Sequence, residues 1–140
     1  MKTLKGYIYL LILSTFSLSF AMQNQTELNK QLAVAIFNNN KALAENLIKD
    51  GADVNYQGDE THQPPLMTAA VYHKDPYLVR FLLKKGANPS LVSMGPLYGG
   101  KNVYEALENV KKIHETLGYE DFVSRINHVQ DVLKEYDKSN

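Results

Sequence analysis

The side chains best suited to hold a metal or carry a proton are His62, His73, His114 and His128, and no two of them share a ligand spacing on one helix face. His73 and Asp75 stand two apart in a polar stretch that reads as a turn, which is the ordinary setting of a surface histidine. Cysteine is absent, so there is no thiol nucleophile, thiolate metal site, disulfide framework or lipid-accepting thiol. No serine stands in a Gly-x-Ser-x-Gly elbow. Glu120 and Asp121 are neighbours, and on a helix adjacent residues diverge by about 100°. They suit a helix N-terminus, where the macrodipole favours acids, better than a catalytic pair. Gly95, Gly99 and Gly100 precede Lys101-Asn102, without the Lys-Ser/Thr and the preceding strand of a phosphate loop. No catalytic, cofactor-binding or metal-binding residue is assigned, and the expectation is a protein that is not an enzyme and needs no cofactor.

The elements that position these residues are organised by a repetition. Leu47-Ile48-Lys49-Asp50-Gly51-Ala52-Asp53-Val54-Asn55 returns as Leu82-Leu83-Lys84-Lys85-Gly86-Ala87-Asn88-Pro89, with the two glycines 35 positions apart. An apolar pair, two polar residues and Gly read as the last turn of a helix closed by a left-handed residue. Ahead of the second copy stands Pro64-Pro65-Leu66-Met67-Thr68-Ala69-Ala70, then a polar turn, then the apolar set Leu78, Val79, Leu82 and Leu83, with Asp75-Pro76 as N-cap and first-turn pair.

This unit resembles the ankyrin repeat. Its Thr-Pro-Leu-His-x-Ala-Ala opening is matched in part by residues 64–70, and its Gly-Ala-Asp-x-Asn finger by Gly51, Ala52, Asp53 and Asn55. The resemblance spans roughly residues 27–137 and is firm over 43–89. Against an ordinary period of about 33 residues, two extra residues are placed in loops, one near Gln57 to His62 and one in the turn His73-Lys74-Asp75. Met67 stands where the family has His, and Pro64 where it has Thr.

Residues 1–21 have the layout of a secretory leader: Lys2 and Lys5, an apolar run from Tyr7 to Leu13, and Ser19-Phe20-Ala21 as a small-x-small cleavage site. The run is short of the roughly 20 apolar residues that a membrane span needs. Its removal leaves 13 basic against 15 acidic groups, a balance that disfavours nucleic acid and anionic membrane as partners. The first repeat opens on a helix over residues 26–38, capped by Thr26, with Leu28, Leu32, Ala35 and Ile36 on one face. Its partner helix runs over 41–50, with Leu43, Ala44, Leu47 and Ile48 apolar.

From Asn102 the helices lengthen. One carries Val103, Leu107, Val110, Ile113 and Leu117 and closes at Gly118; the next carries Phe122, Ile126, Val129, Leu133 and Tyr136. The expected architecture is all-α: an ankyrin-like solenoid of about three helix-turn-helix repeats with β-turn fingers, capped by a long C-terminal helical hairpin. The domain layout is 1–21 as signal peptide and 22–140 as repeat domain, with repeats at about 27–55, 60–90 and 100–137.

What the resemblance implies is a protein that binds another protein through its fingers and concave face. Carried over by position, the candidates are Tyr56, Gln57, Asp59 and Glu60 on the first finger, Tyr72 beside them, and Leu91, Met94, Leu97 and Tyr98 on the second. Phe37, Asn38 and Val71 join the same face. The apolar second finger either meets a partner or folds back on the third repeat. With the leader, the resemblance implies a small secreted or periplasmic bacterial protein, monomeric and free of the membrane after cleavage. The alternatives are a host-directed effector or envelope-protective factor acting by binding, a scaffold anchored by an uncleaved leader, and an enzyme with an unrecognised site.

Overall fold

The computed structural model describes residues 2–58 and 62–139. Six helices follow in order: α1 (Lys2–Phe37), α2 (Lys41–Lys49), α3 (Pro65–Met67), α4 (Pro76–Lys84), α5 (Val103–Thr116) and α6 (Glu120–Ser139). Helix α3 runs straight into a π-helical stretch, Thr68–His73. The described residues contain no strand, and the architecture is an all-α repeat solenoid. The C-terminal half of α1, α3 with its π stretch, and α5 form an inner row; α2, α4 and α6 pack outside them.

Local chemistry sets the helix ends. Asn40 Oδ1 accepts from Leu43 N at the start of α2, and Asp75 Oδ1 accepts from Tyr77 N and Leu78 N at the start of α4, where Pro76 needs no partner for a missing N–H. Asn102 and Glu105 exchange side-chain and backbone bonds in a capping box ahead of α5. Gly51 (φ 101°) and Gly86 (φ 90°) take the left-handed conformation, which lets Ala52 N reach Leu47 O and Ala87 N reach Leu82 O.

Three expectations change. Helix α1 does not begin at Thr26: no Gly or Pro interrupts the chain between Gly6 and Gly51, the helix is continuous from Lys2, and the Thr26 hydroxyl donates to Met22 O within it. The extra residue of the second repeat lies before the turn. The left-handed residue between the paired helices is Asn39 in the first repeat and Lys74 in the second. It falls seven positions after Leu32 but eight after Leu66, so the added residue is taken up in the wider π stretch. The α5 stripe is buried only through Val110; toward the hairpin tip Ile113 and Leu117 are exposed, although His114 there meets Tyr119 and Phe122. Along α6, Val132 joins Ile126, Val129 and Leu133 in the core, while Phe122 is exposed.

The core is continuous across the repeats, from Leu32 and Ile36 through Leu66, Leu78 and Leu82 to Leu107, Ile126 and Leu133. Polar contacts at residues 73–75 rivet the units together. His73 Nε2 meets Ile36 O of the first repeat at 2.9 Å, and Arg125 Nη2 of α6 donates to His73 O at 2.7 Å. Asp75 Oδ2 pairs with Lys41 Nζ at 2.7 Å. Burial acts to raise the Asp75 carboxyl, but the Lys41 bond, the Leu78 and Tyr77 N–H groups and the Lys41 charge outweigh it and hold the group below its usual range. Lys74 is buried, donates to Val71 O at 2.9 Å and lies over the Phe122 ring; burial, then the Arg125 charge, lower its pKa.

Candidate partner-binding surface

Both fingers open alike. Asp53 Oδ1 accepts from Asn55 N, and Asn88 Oδ1 accepts from Ser90 N, so each glycine is followed by a side-chain-locked turn. One side chain joins the two: Asn55 Nδ2 donates to Gly86 O at 3.1 Å, and its Oδ1 accepts from Asn88 N at 2.8 Å.

Beyond that turn the second finger closes on itself. Ser93 N donates to Lys101 O (2.9 Å), Gly100 N to Ser93 O (3.0 Å) and Lys101 N to Tyr98 O (3.0 Å). Gly95 N donates to the Ser93 hydroxyl, which is itself buried. The ring is so tight that a β-carbon at Gly99 would lie 2.8 Å from Gly95 O. This is a small Ω-shaped loop with joined ends. Its neck is clamped by the first finger: Gln57 Nε2 donates to Val92 O, while Met94 N donates to both Gln57 Oε1 and His62 O. With the backbone occupied in this way, the side chains of Met94 and Leu97 point outward, 67% and 69% exposed, and Val92 is 46% exposed. No charged residue lies between Ser90 and Gly100.

The candidate residues therefore divide. Met94, Leu97 and Tyr72 are exposed, and Leu91 is half-buried. Tyr98 turns inward: it packs on the core and meets Tyr72 edge to face at 6.3 Å, and burial, then Tyr72, push its hydroxyl pKa up. Gln57 is committed to the clamp. Tyr56 is half-buried, with its ring over Gly58. Asp59 and Glu60 lie outside the described residues. Phe37 and Asn38 are exposed, whereas Val71 is in the core because the wide π stretch rotates it inward. Among the exposed apolar residues outside that candidate set are Val92 and Val34. Val34 had a signal, since it lies on the side of α1 away from Leu32, Ala35 and Ile36.

No group of three or more His, Asp or Glu side chains among the described residues is placed to hold a metal. The perturbed groups Lys74 and Asp75 already hold structural partners, as does Tyr104, whose hydroxyl donates to Asp137 Oδ1 at 2.7 Å and whose pKa rises through burial, that bond and the Asp137 and Tyr136 charges.

Residues 61–93 match the family model of the ankyrin repeat. No curated protein matches the chain. The matched segment runs from the end of the first finger through α4 to the neck of the loop, and stops before Met94 and Leu97. Ankyrin repeats are in general protein-protein interaction modules and are typically without catalytic activity.

Proposed function

We propose that this ankyrin-repeat protein acts by binding another protein, without catalysis, and that the exposed side chains of its second finger, with Tyr72 and Phe37 on the adjoining face, make the contact. The observation that carries the reading is the loop of residues 93–101. Its backbone is held by hydrogen bonds on both sides, yet it presents Met94 and Leu97 to solvent, with Val92 exposed at its neck. A backbone already held in place has little conformational freedom left to lose on binding. A non-catalytic role is supported by the structural employment of Lys74, Asp75 and Tyr104.

The stack is read as a monomer. What supports this is the polar, solvent-facing side of the last hairpin, where α5 and α6 are joined by Tyr104 with Asp137 and by Gln130 Nε2 donating to Glu108 Oε2 at 3.2 Å. The deciding experiment compares Met94→Ala and Leu97→Ala with the parent in affinity capture from the source lysate, identifying the captured protein by mass spectrometry. Retention of the same captured protein by both variants would move the contact to another face.

Export with a leader cleaved after Ala21 accompanies this reading, and a secreted or periplasmic location comes with it. Every described side chain between residues 11 and 27 is exposed, and burial begins at Leu28 and Asn29, so the leader contributes no described side chain to the core. A retained leader is the second reading, favoured by the unbroken course of α1 through Ser19-Phe20-Ala21. Among the described residues no helix is long and apolar enough to cross a membrane. N-terminal sequencing of the exported protein separates the two: Met22 as first residue supports cleavage, Met1 supports retention.

A further inference from the structure

We infer that Gln25 and Asn29 stand in for a finger that the first repeat lacks on its N-terminal side, so that helix α1 terminates the stack and the folded unit begins at Gln25. The inference stands whether or not the second finger binds a partner.

Two equivalent turns reveal the substitution. In the second, the carbonyl of Gly86 and the N–H of Asn88 are both satisfied by one amide side chain of the preceding finger, Asn55. In the first, the equivalent groups are the carbonyl of Gly51 and the N–H of Asp53, and the described residues that face them from the N-terminal side belong to helix α1. Gln25 Nε2 donates to Gly51 O at 2.7 Å, and Asp53 N donates to Asn29 Oδ1 at 2.7 Å. Gln25 Nε2 also donates to Asn29 Oδ1 at 3.0 Å, so the two amides act as one unit. Their spacing of four residues puts both on the same face of α1. An amide carries donor and acceptor together, which is what one carbonyl and one N–H require. Asn29 is nearly fully buried, a position where a polar side chain without partners would be destabilising.

The cap has two consequences. The Gly51 carbonyl and the Asp53 N–H are occupied by their own chain, so these two groups are not free for a further repeat or a second copy. A leader can be cut at any bond up to Asn24 without touching the cap, whereas a cut after Gln25 removes half of it.

The test is residue-resolved amide hydrogen exchange on the full chain. Asn29→Ala should speed exchange at the Asp53 N–H from a few-fold to about tenfold, the equivalent of a hydrogen bond of about 0.5–1.5 kcal/mol, and leave Asn88 unchanged. Asn55→Ala should do the reverse. Gln25→Glu, which keeps the length but loses the donor to Gly51 O, should loosen the first turn as much as Gln25→Ala does. Unchanged protection of Asp53 in Asn29→Ala overturns the inference. So does an equal acceleration at Asp53 and Asn88, which would make Asn29 a general stabiliser, or a Gln25→Glu chain that behaves as the parent.

Discussion

The two fingers begin as copies and end as opposites. Each has a left-handed glycine, a buried alanine after it, an Asp or Asn that locks the turn, and an amide side chain from the N-terminal side that satisfies its backbone. After that the first finger turns polar and gives its Gln57 to its neighbour, while the second curls into a ring closed at Lys101, with Met94 and Leu97 outside and Ser93 and Tyr98 inside. The lesson is that the repeat dictates only the opening of a finger. The remainder of each finger is free to differ, and there the chain departs from the segment that matches the family.

The likeness of the two fingers is tested hardest at their base. Leu47 and Leu82 are equivalent, each under its finger and each giving its carbonyl to the residue after the glycine. Leu82→Ala should lower stability by about 2–5 kcal/mol, and Leu47→Ala by the lower part of that range, since its side chain has a repeat on one side only. Chemical denaturation measures both; a larger loss for Leu47 would mean that the first repeat is the stronger half.

Next come the glycines. No atom stands within 4 Å of a β-carbon built at Gly51 or Gly86, and both have positive φ, so alanine at either should cost about 1–2 kcal/mol for the left-handed backbone alone. Unequal losses, read from melting midpoints of the two variants, would show that the turns are not the copies their geometry describes.

Tyr98 tests the inner side of the ring. It is half-buried against the core and against Tyr72, so Tyr98→Ala should cost about 1 kcal/mol, below the roughly 1.5–3 kcal/mol of a fully buried large side chain. A loss equal to that of Leu82→Ala would place the whole loop in the core. The outer side should give the smallest effect on folding: Met94→Ala and Leu97→Ala should each stay within about 0.5 kcal/mol of the parent. Under the binding proposal the same variants lose about 2 kcal/mol or more of partner affinity, as anchoring residues do. Calorimetry beside a binding titration with the captured protein compares these two magnitudes.

Much of the fold was legible because each legible feature is local. Gly51 and Gly86, the Asp75-Pro76 start and the Asn102 cap depend on residues within one turn, and the α4 set Leu78, Val79, Leu82 and Leu83 is buried as its spacing requires. The candidate surface was legible in part. Met94 and Leu97 are exposed as a finger position implies, but the inward turn of Tyr98 depends on Tyr72 26 positions away, and the engagement of Gln57 depends on Val92 and Met94, 35 and 37 positions away. Ile113 and Leu117 continue a helical stripe without a neighbour to cover them, which periodicity alone does not reveal. The start of α1 failed for the opposite reason: Thr26 is an able cap, but an uninterrupted helix gave it no terminus to cap.

The wide turn at Thr68–His73 has a bearing on how such a stack can vary. An extra residue in an ordinary helix would rotate everything after it by about 100° and take His73, Lys74 and Asp75 away from their three different neighbours. Here the surplus is absorbed before it reaches them, and the outer helix starts in phase. The ladder therefore tolerates a change of one residue at this place without renumbering its contacts, and its regularity belongs to the spacing of the rungs rather than to the length of chain between them.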